Sequence, residues 1–415
     1  MIVRVDYTFE AGRLNFEFIC EELEPKESSS SLAKKTFFVD LGSDFQYNKI
    51  HPDHLALSAF LAVRPWIQNK LTLSKPISPI FAKSLATFGI NAGPIDTNIT
   101  PYSSENGKYI GLAFSGGADS TAALSVLPKT AIPVFLDRPN LKTSIYSKEA
   151  ALASCQTLRG LGYDCHIVKC DLESIRNPIG FPTDLSNAIP AIVMATALEL
   201  FGIAYGTVLE SVYGLGRIKF KDYKETSHKK MWWDVFKAAG LPISFPVGGV
   251  SEVGTEIICS LSKIGSISQS CIRGKVGLPC YFCWKCFRKS VVRESLNQSQ
   301  SIKTHLLQLL ESKEVRTKLG ALPISHENVF LYAFGRIGFS EFPDGFESRF
   351  VYSKDLSYLE KWYPPSLELI HPRIKNEVAN KISSFLNIMN DEDEVNVSTW
   401  DMSDRVTNLA PLSYE

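Results

Sequence analysis

The stretch that most constrains this chain is Tyr109 to Thr121, YIGLAFSGGADST. Tyr109 to Phe114 is an unbroken apolar run with one glycine, Ser115 to Ser120 is a small-residue break, and Thr121 to Leu127 alternates with helical spacing until Pro128. An apolar run bounded by turn residues reads as a buried strand, and the segment behind it as a loop entering a helix. Gly116 and Gly117 carry no Cβ, so successive backbone N–H groups can converge on a phosphate. The helix that follows turns its unpaired N–H groups and the positive end of its dipole toward the same anion. Ser115 and Ser120 add hydroxyls. Asp119 beside a polyphosphate is repulsive unless it ligates a divalent cation or caps the helix. The fixed glycine spacing and Gly-Lys-Ser/Thr ending of a Walker loop are absent.

Alternation continues beyond the loop. Ile132–Asp137, His166–Asp171 and Ile203–Thr207 read as strands, separated by helical periodicity over Ser147–Leu161 and Ala188–Phe201. Strands and helices in this order imply an α/β fold, a parallel sheet flanked by helices with ligands at the carboxyl ends of its strands. Asp137, Asp171 and Thr207 to Glu210 fall at such ends and are expected to rim a pocket.

The segments on either side read as additions. Residues 2–24 alternate as a hairpin turning at Glu10-Ala-Gly12, Lys35–Asp40 reads as a third strand, and Leu55–Ile67 and Ile80–Phe88 as helices. An N-terminal α+β domain over 1–105 is expected, with 89–107 as a turn-rich linker, then a core over 106–300. Helical patterns at His305–Leu310, Val315–Leu319, Glu327–Ile337 and Asn376–Met389 make 301–415 a helical extension. The acidic run Asn390–Val395 reads as solvated surface. His51 and His54, with Asp53 between them, read as a helix cap and a solvated face, and Trp232-Trp233 as part of a buried helix.

The charge balance is neutral, 44 basic against 44 acidic side chains, and 45% of residues are hydrophobic. This composition suits a globular protein of about two to three domains and offers no electrostatic reason for nonspecific nucleic-acid binding. No apolar run reaches about 18 residues and the first residues lack a signal pattern, so a cytoplasmic protein is expected.

Nine cysteines, an odd number, argue against a disulfide framework. Cys20, Cys155, Cys165, Cys170 and Cys259 sit in apolar surroundings and read as core thiols. Cys271, Cys280, Cys283 and Cys286 fall in one short segment. Cys280 and Cys283 can chelate one ion from a tight turn, Cys286 follows a helical turn later, and Cys271 closes a tetrahedron across a loop. Arg273, Lys275, Lys285, Arg288 and Lys289 are placed to offset the thiolate charge. A closed structural zinc site is expected; spacing alone leaves an iron–sulfur cluster or a redox pair open.

Ser115-Gly-Gly-Ala-Asp-Ser120 resembles the SGGxDS pyrophosphate loop of the N-type ATP pyrophosphatases, the PP-loop family. Cysteines spaced C-x8-C-x2-C-x2-C downstream of it resemble the 7-cyano-7-deazaguanine synthase, or QueC, group of that family. The likeness covers residues 108–295. Tyr213-Gly-Leu-Gly-Arg217-Ile-Lys-Phe220 is similar to the group's Tyr-Pro-Asp-Cys-Arg-x-x-Phe stretch, with Leu215 and Gly216 in place of Asp-Cys. Glu210 takes the place of an acid preceding that stretch. The group's Thr-Lys step has no counterpart between Pro246 and Glu256.

The resemblance implies a PP-loop core that uses ATP and Mg²⁺ and carries Zn²⁺ on Cys271, Cys280, Cys283 and Cys286. By carry-over, Phe114, Ser115, Gly116, Gly117, Asp119, Ser120, Thr121 and Asp137 hold the nucleotide. Ser115, Asp119, Ser120 and Arg217 serve catalysis, and Glu210, Tyr213 and Arg217 hold the base. The implied activity is a C–N ligase that adenylates the carboxylate of a 7-carboxy-7-deazaguanine-like base, releasing pyrophosphate. An amine, ammonia or a protein amine, then displaces AMP. Extended QueC-like proteins also occur in antiphage systems, so a protein partner that is modified joins the small-molecule substrate among the expected partners, with a homodimer also allowed. Membrane and nucleic-acid partners are not expected. The alternatives are a tRNA-modifying PP-loop pyrophosphatase and a catalytically inert nucleotide-binding subunit.

Overall fold

In the computed structural model, residues 2–21, 30–139, 146–297, 300–339, 342 and 345–408 are described. The N-terminal hairpin forms as the alternation predicts: β1 (Ile2–Glu10) and β2 (Arg13–Glu21) pair antiparallel around Ala11 and Gly12, both at positive φ. Val3, Val5, Leu14, Phe16 and Phe18 are buried on one face. A short β3 (Ser31–Leu32) precedes β4 (Thr36–Asp40), then β5 (Lys70–Ile77) and β6 (Asn91–Ile95), the last lying inside the stretch read as linker. The core contributes β7 (Tyr109–Phe114), β8 (Ile132–Asp137), β9 (His166–Cys170), β10 (Arg176–Asn177), β11 (Leu200–Tyr205) and β12 (Ile243–Ser244).

Ten of these strands make one sheet in the order β12-β11-β7-β8-β9-β4-β2-β1-β5-β6, and β3 pairs with β10 apart from it. The pairs from β12 to β9 are parallel, as are β1 with β5 and β5 with β6. β8 and β11 are buried at every position, the pattern of strands covered on both faces. The core order reverses at β7, which has β8 on one side and the later β11 on the other. Crevices outside the carboxyl ends at such a reversal are where open α/β sheets bind ligands. The Ser115–Ser120 loop leaves β7 at that point.

The N-terminal strands continue the core sheet. β4 pairs antiparallel with β9, Val39 opposite Cys170 and Asp40 opposite Lys169. Asp171, expected at a pocket rim, is instead committed to this seam: its oxygens accept from Lys34 Nζ at 2.5 Å and from the Phe38 N–H at 2.8 Å. The helix expected over Ala188–Phe201 is cut short. It runs only from Ile189 to Met194; Glu199 then takes a left-handed φ of 50°, and the wholly apolar Leu200–Tyr205 pairs with β7 as β11. His51 caps the helix Pro52–Val63 as expected, accepting from the Asp53 N–H. His54 is not solvated: it is fully buried with Nε2 3.1 Å from the Ala239 carbonyl, and burial drives its pKa down to about 3.

The C-terminal region is helical. Glu327–Ile337 packs on the helix Trp284–Asn297, with Phe330 5.1 Å from Trp284 and 5.8 Å from Phe287 between ring centroids. The acidic run is the start of a helix, Asp391–Ser398, with Asn390 and Asp393 forming a capping box. Carboxylates are stabilised at a helix N-terminus. Asp393 also accepts from Lys361 Nζ at 2.7 Å, so the run is only partly solvated. Among the described residues no helix is long and apolar enough to cross a membrane.

Candidate functional site

The loop between β7 and the helix Ala118–Val126 is tied together by its own hydroxyls. Ser120 Oγ accepts from the Ser115 N–H at 3.2 Å and lies 3.1 Å from Ser115 Oγ, while Ser115 Oγ accepts from the Gly117 N–H at 3.4 Å. Gly116 sits at φ 75°, a conformation that L side chains avoid. Ser270 closes the far side, its Oγ accepting from the Ala118 N–H at 3.2 Å. Thr121 is buried, its N–H bonded to the Gly117 carbonyl, and Phe114 is buried at the end of β7. Gly206, just past β11, presses on the same turn: a Cβ there would lie 2.7 Å from the Ser120 nitrogen.

A charged network continues from the loop. Asp119 Oδ1 accepts from Lys289 Nζ and from Thr255 Oγ1, both at 3.2 Å. Lys289 Nζ also lies 3.4 Å from Glu256 Oε1 and 3.7 Å from Glu252 Oε2. Arg288 Nε is 2.9 Å from Glu252 Oε2, His326 Nδ1 is 2.9 Å from Glu252 Oε1, and Arg293 Nε donates to Glu256 Oε2 at 2.8 Å. Burial alone would disfavour both charged forms in the Lys289–Glu252 pair. The surrounding opposite charges outweigh it, raising the Lys289 ammonium pKa and holding Glu252 well below the carboxylate range.

Glu210 sits at the inner end of this network. It is buried, with Oε2 accepting from the Glu252 N–H and Oε1 from Asn328 Nδ2, each at 3.1 Å. Burial, helped by the charge of Glu252, lifts its pKa to about 7. Gly216 lies against it: a Cβ there would come within 2.9 Å of Glu210 Cβ, and its carbonyl accepts from the His326 N–H. No larger residue fits at 216 without moving Glu210.

The cysteine segment gathers as its spacing predicts. The ligand atoms of Cys271, Cys280, Cys283 and Cys286 all lie within 4.8 Å of one another, with Cys280 Sγ 3.7 Å from Cys286 Sγ. A tetrahedron with Zn–S near 2.3 Å has its sulfurs about 3.8 Å apart. Cys271 Sγ accepts from the N–H groups of Arg273 and Cys280, and Cys283 Sγ from that of Cys286. Four converging sulfurs with N–H donors to them fit a metal such as zinc. The nearby cations do not all serve the thiolates. Arg273 pairs with Glu314 at 2.5 Å, while Arg288 and Lys289 pair with the carboxylates named above.

The remaining predicted residues are spread around the loop. Asp137 is buried at the end of β8, accepting from Lys148 Nζ at 2.6 Å. Tyr213 is buried with its ring stacked on Phe220 and edge-on to Tyr363. Arg217 is exposed in the turn closed by its N–H to the Gly214 carbonyl. Among the described residues it makes no side-chain hydrogen bond to Glu210 or Tyr213. Its charge acts on His228, whose pKa is lowered by burial, raised by Asp184 and lowered again by Arg217. His228 and Asp184 edge a cleft of about 390 Å³, walled by Pro182, Met231 and Trp232 with Arg64 beside them.

Sequence reasoning missed Glu252, Thr255, Glu256, His326 and Asn328. The first three sit on the helix Glu252–Leu261, one face of which meets Asp119. Their spacing of three and four residues was the available signal. His326 and Asn328 come from the C-terminal region and carried no local signal.

Fold and site together define an α/β protein with a glycine-bearing loop at the reversal of a largely parallel sheet and a four-cysteine cluster behind it. A family model described as a family of unknown function (DUF6395) matches residues 231–401, which take in the cysteine cluster, His326 and Asn328. No curated protein and no solved structure matches the chain.

Proposed function

We propose that this chain is a QueC-like PP-loop enzyme. It adenylates the carboxylate of a 7-deazaguanine-type base with ATP, and couples the activated base to ammonia or to an amine of a partner protein. The observation that carries the reading is the Ser115–Ser120 loop at the carboxyl end of β7, where the strand order reverses.

The chain's own groups suit each part of that reaction. The N–H groups of Gly116, Gly117 and the helix behind them, with the hydroxyls of Ser115 and Ser120, would hold the pyrophosphate portion of ATP and stabilise charge as it departs. Asp119 would hold Mg²⁺, which supplies further positive charge to the departing pyrophosphate; among the described residues both of its hydrogen bonds fall on Oδ1. Cys271, Cys280, Cys283 and Cys286 would hold Zn²⁺ with every coordination position taken, a structural role. Glu210, Tyr213 and Arg217 are assigned to the base. The carboxylate oxygen forms a bond to the α-phosphorus as pyrophosphate leaves. The amine nitrogen then bonds to the carbonyl carbon as AMP leaves.

The test is release of pyrophosphate and AMP from ATP plus 7-carboxy-7-deazaguanine, with and without ammonia, with mass spectrometry of the base and of co-purified protein. Release that requires the base supports the reading. A nitrile or amide product assigns ammonia as the amine, and a mass gain on a protein assigns conjugation. ATP binding with no base-dependent release identifies an inert nucleotide-binding subunit instead.

A further inference from the structure

Lys285 is a partly buried cation near the cysteine cluster with no ion pair among the described residues. Arg273, Arg288 and Lys289 each have a carboxylate within 3.2 Å. Among the described residues the Lys285 ammonium has neither a hydrogen-bond nor an ion-pair partner, although the residue is only partly exposed. Its ammonium is aimed at the loop: a methyl group built on Gly117 would lie 4.0 Å from Lys285 Nζ, 3.8 Å from Ser270 Oγ and 3.5 Å from Ser115 Oγ. The space over Gly117 is thus bordered by an ammonium and two hydroxyls, beside a helix N-terminus. Arg288 and Lys289 stand one turn further along the same helix, and their charges act on Lys285 together with the opposite charges of Asp119 and Glu252.

An ammonium with no carboxylate in ion-pair reach among the described residues, bordering a turn rich in N–H groups, is complementary to a polyanion. We infer that Lys285 binds the pyrophosphate portion of the nucleotide from the cysteine side of the loop. This inference rests on reading Ser115–Ser120 as a pyrophosphate loop. Lys285 enters from the helix Trp284–Asn297, between two of the four cysteines, on the side of the loop where Lys289 meets Asp119.

The experiment is calorimetric titration of the full chain with inorganic pyrophosphate, MgATP and AMP, for the wild type, Lys285→Gln and Lys285→Arg. Zinc content and melting temperature are read on the same samples. Lys285→Gln is expected to weaken pyrophosphate and MgATP by about 10- to 100-fold, the size of one charge-assisted hydrogen bond. AMP affinity and zinc content stay unchanged, and Lys285→Arg restores part of the loss. Equal affinities for wild type and Lys285→Gln, or equal losses for pyrophosphate and AMP, overturn the inference. A second measurement needs no variant: pyrophosphate should protect Lys285 of the wild type from acetylation, read by mass spectrometry, and absence of protection despite binding overturns the inference. A wild type that binds neither pyrophosphate nor MgATP instead overturns the loop reading, and the inference falls with it.

Discussion

Lys289 Nζ lies 3.2 Å from Asp119 Oδ1, a contact between residues 170 apart in the chain. It joins the loop behind β7 to the helix that begins at Trp284, between two of the four clustered cysteines. The cysteine cluster and the loop are therefore mechanically one unit, and disturbing either is expected to be felt at the other.

One zinc per chain is expected by atomic emission, and Cys283→Ser should lose it. Because that helix also carries Lys285 and Lys289, the same variant should bind pyrophosphate more weakly and melt at a lower temperature. A variant that loses the metal yet keeps full pyrophosphate affinity would separate the two sites.

Asp119→Asn removes the carboxylate assigned to Mg²⁺, while Lys289 keeps Glu252 and Glu256 as partners. Base-dependent pyrophosphate release should fall by about 10²- to 10³-fold, the range found when one transition-state charge contact is lost. Melting should move little. Wild-type rates in this variant would remove Asp119 from the reaction.

Glu210 titrates near 7 in the folded chain, above the ordinary carboxyl value of 4.5. The folded state therefore binds this proton more tightly than the unfolded state does. The stability it contributes is complete below the unfolded value and is lost as pH rises through about 7, amounting to on the order of 3 kcal/mol. Urea midpoints of the wild type should fall across that interval, and those of Glu210→Gln should fall less. Parallel pH profiles would mean that Glu210 is ionised at little cost.

Gly206→Ala places a Cβ 2.7 Å from the Ser120 backbone nitrogen, where no flexible side chain can give way. Overpacking of this kind costs about 1–3 kcal/mol. The displaced atoms belong to the Ser115–Ser120 loop, so if that loop holds the pyrophosphate as proposed, nucleotide affinity should drop more than the melting temperature suggests. Unchanged binding would show that the loop tolerates the shift.

Elements with a local cause were legible in the sequence. β8 spans Ile132–Asp137 as expected because its apolar run is bounded by Pro128 before and polar residues after, and the helix Glu327–Ile337 follows from its periodicity. The cysteines gather as expected because tight turns fix the reach between near neighbours. Leu200 to Phe201 was misassigned to a helix since an apolar run fits a buried helix and a buried strand alike. His54 was expected in solvent because nothing nearby in the chain announces Ala239 as its partner.

The sequence by itself determined the strand–loop–helix at 109–127, the metal-fitting cysteine set and the hairpin at the N-terminus, since each depends on residues a few positions apart. Tertiary structure decided that β4 joins the first strands to the core sheet through β9, that Glu252 and Lys289 connect Asp119 to Glu210, and that His326 and Asn328 reach in from the C-terminal region. Those arrangements come from burying charged and polar groups, which must find partners wherever in the chain they lie. Pattern along the sequence does not record which distant residue supplies them.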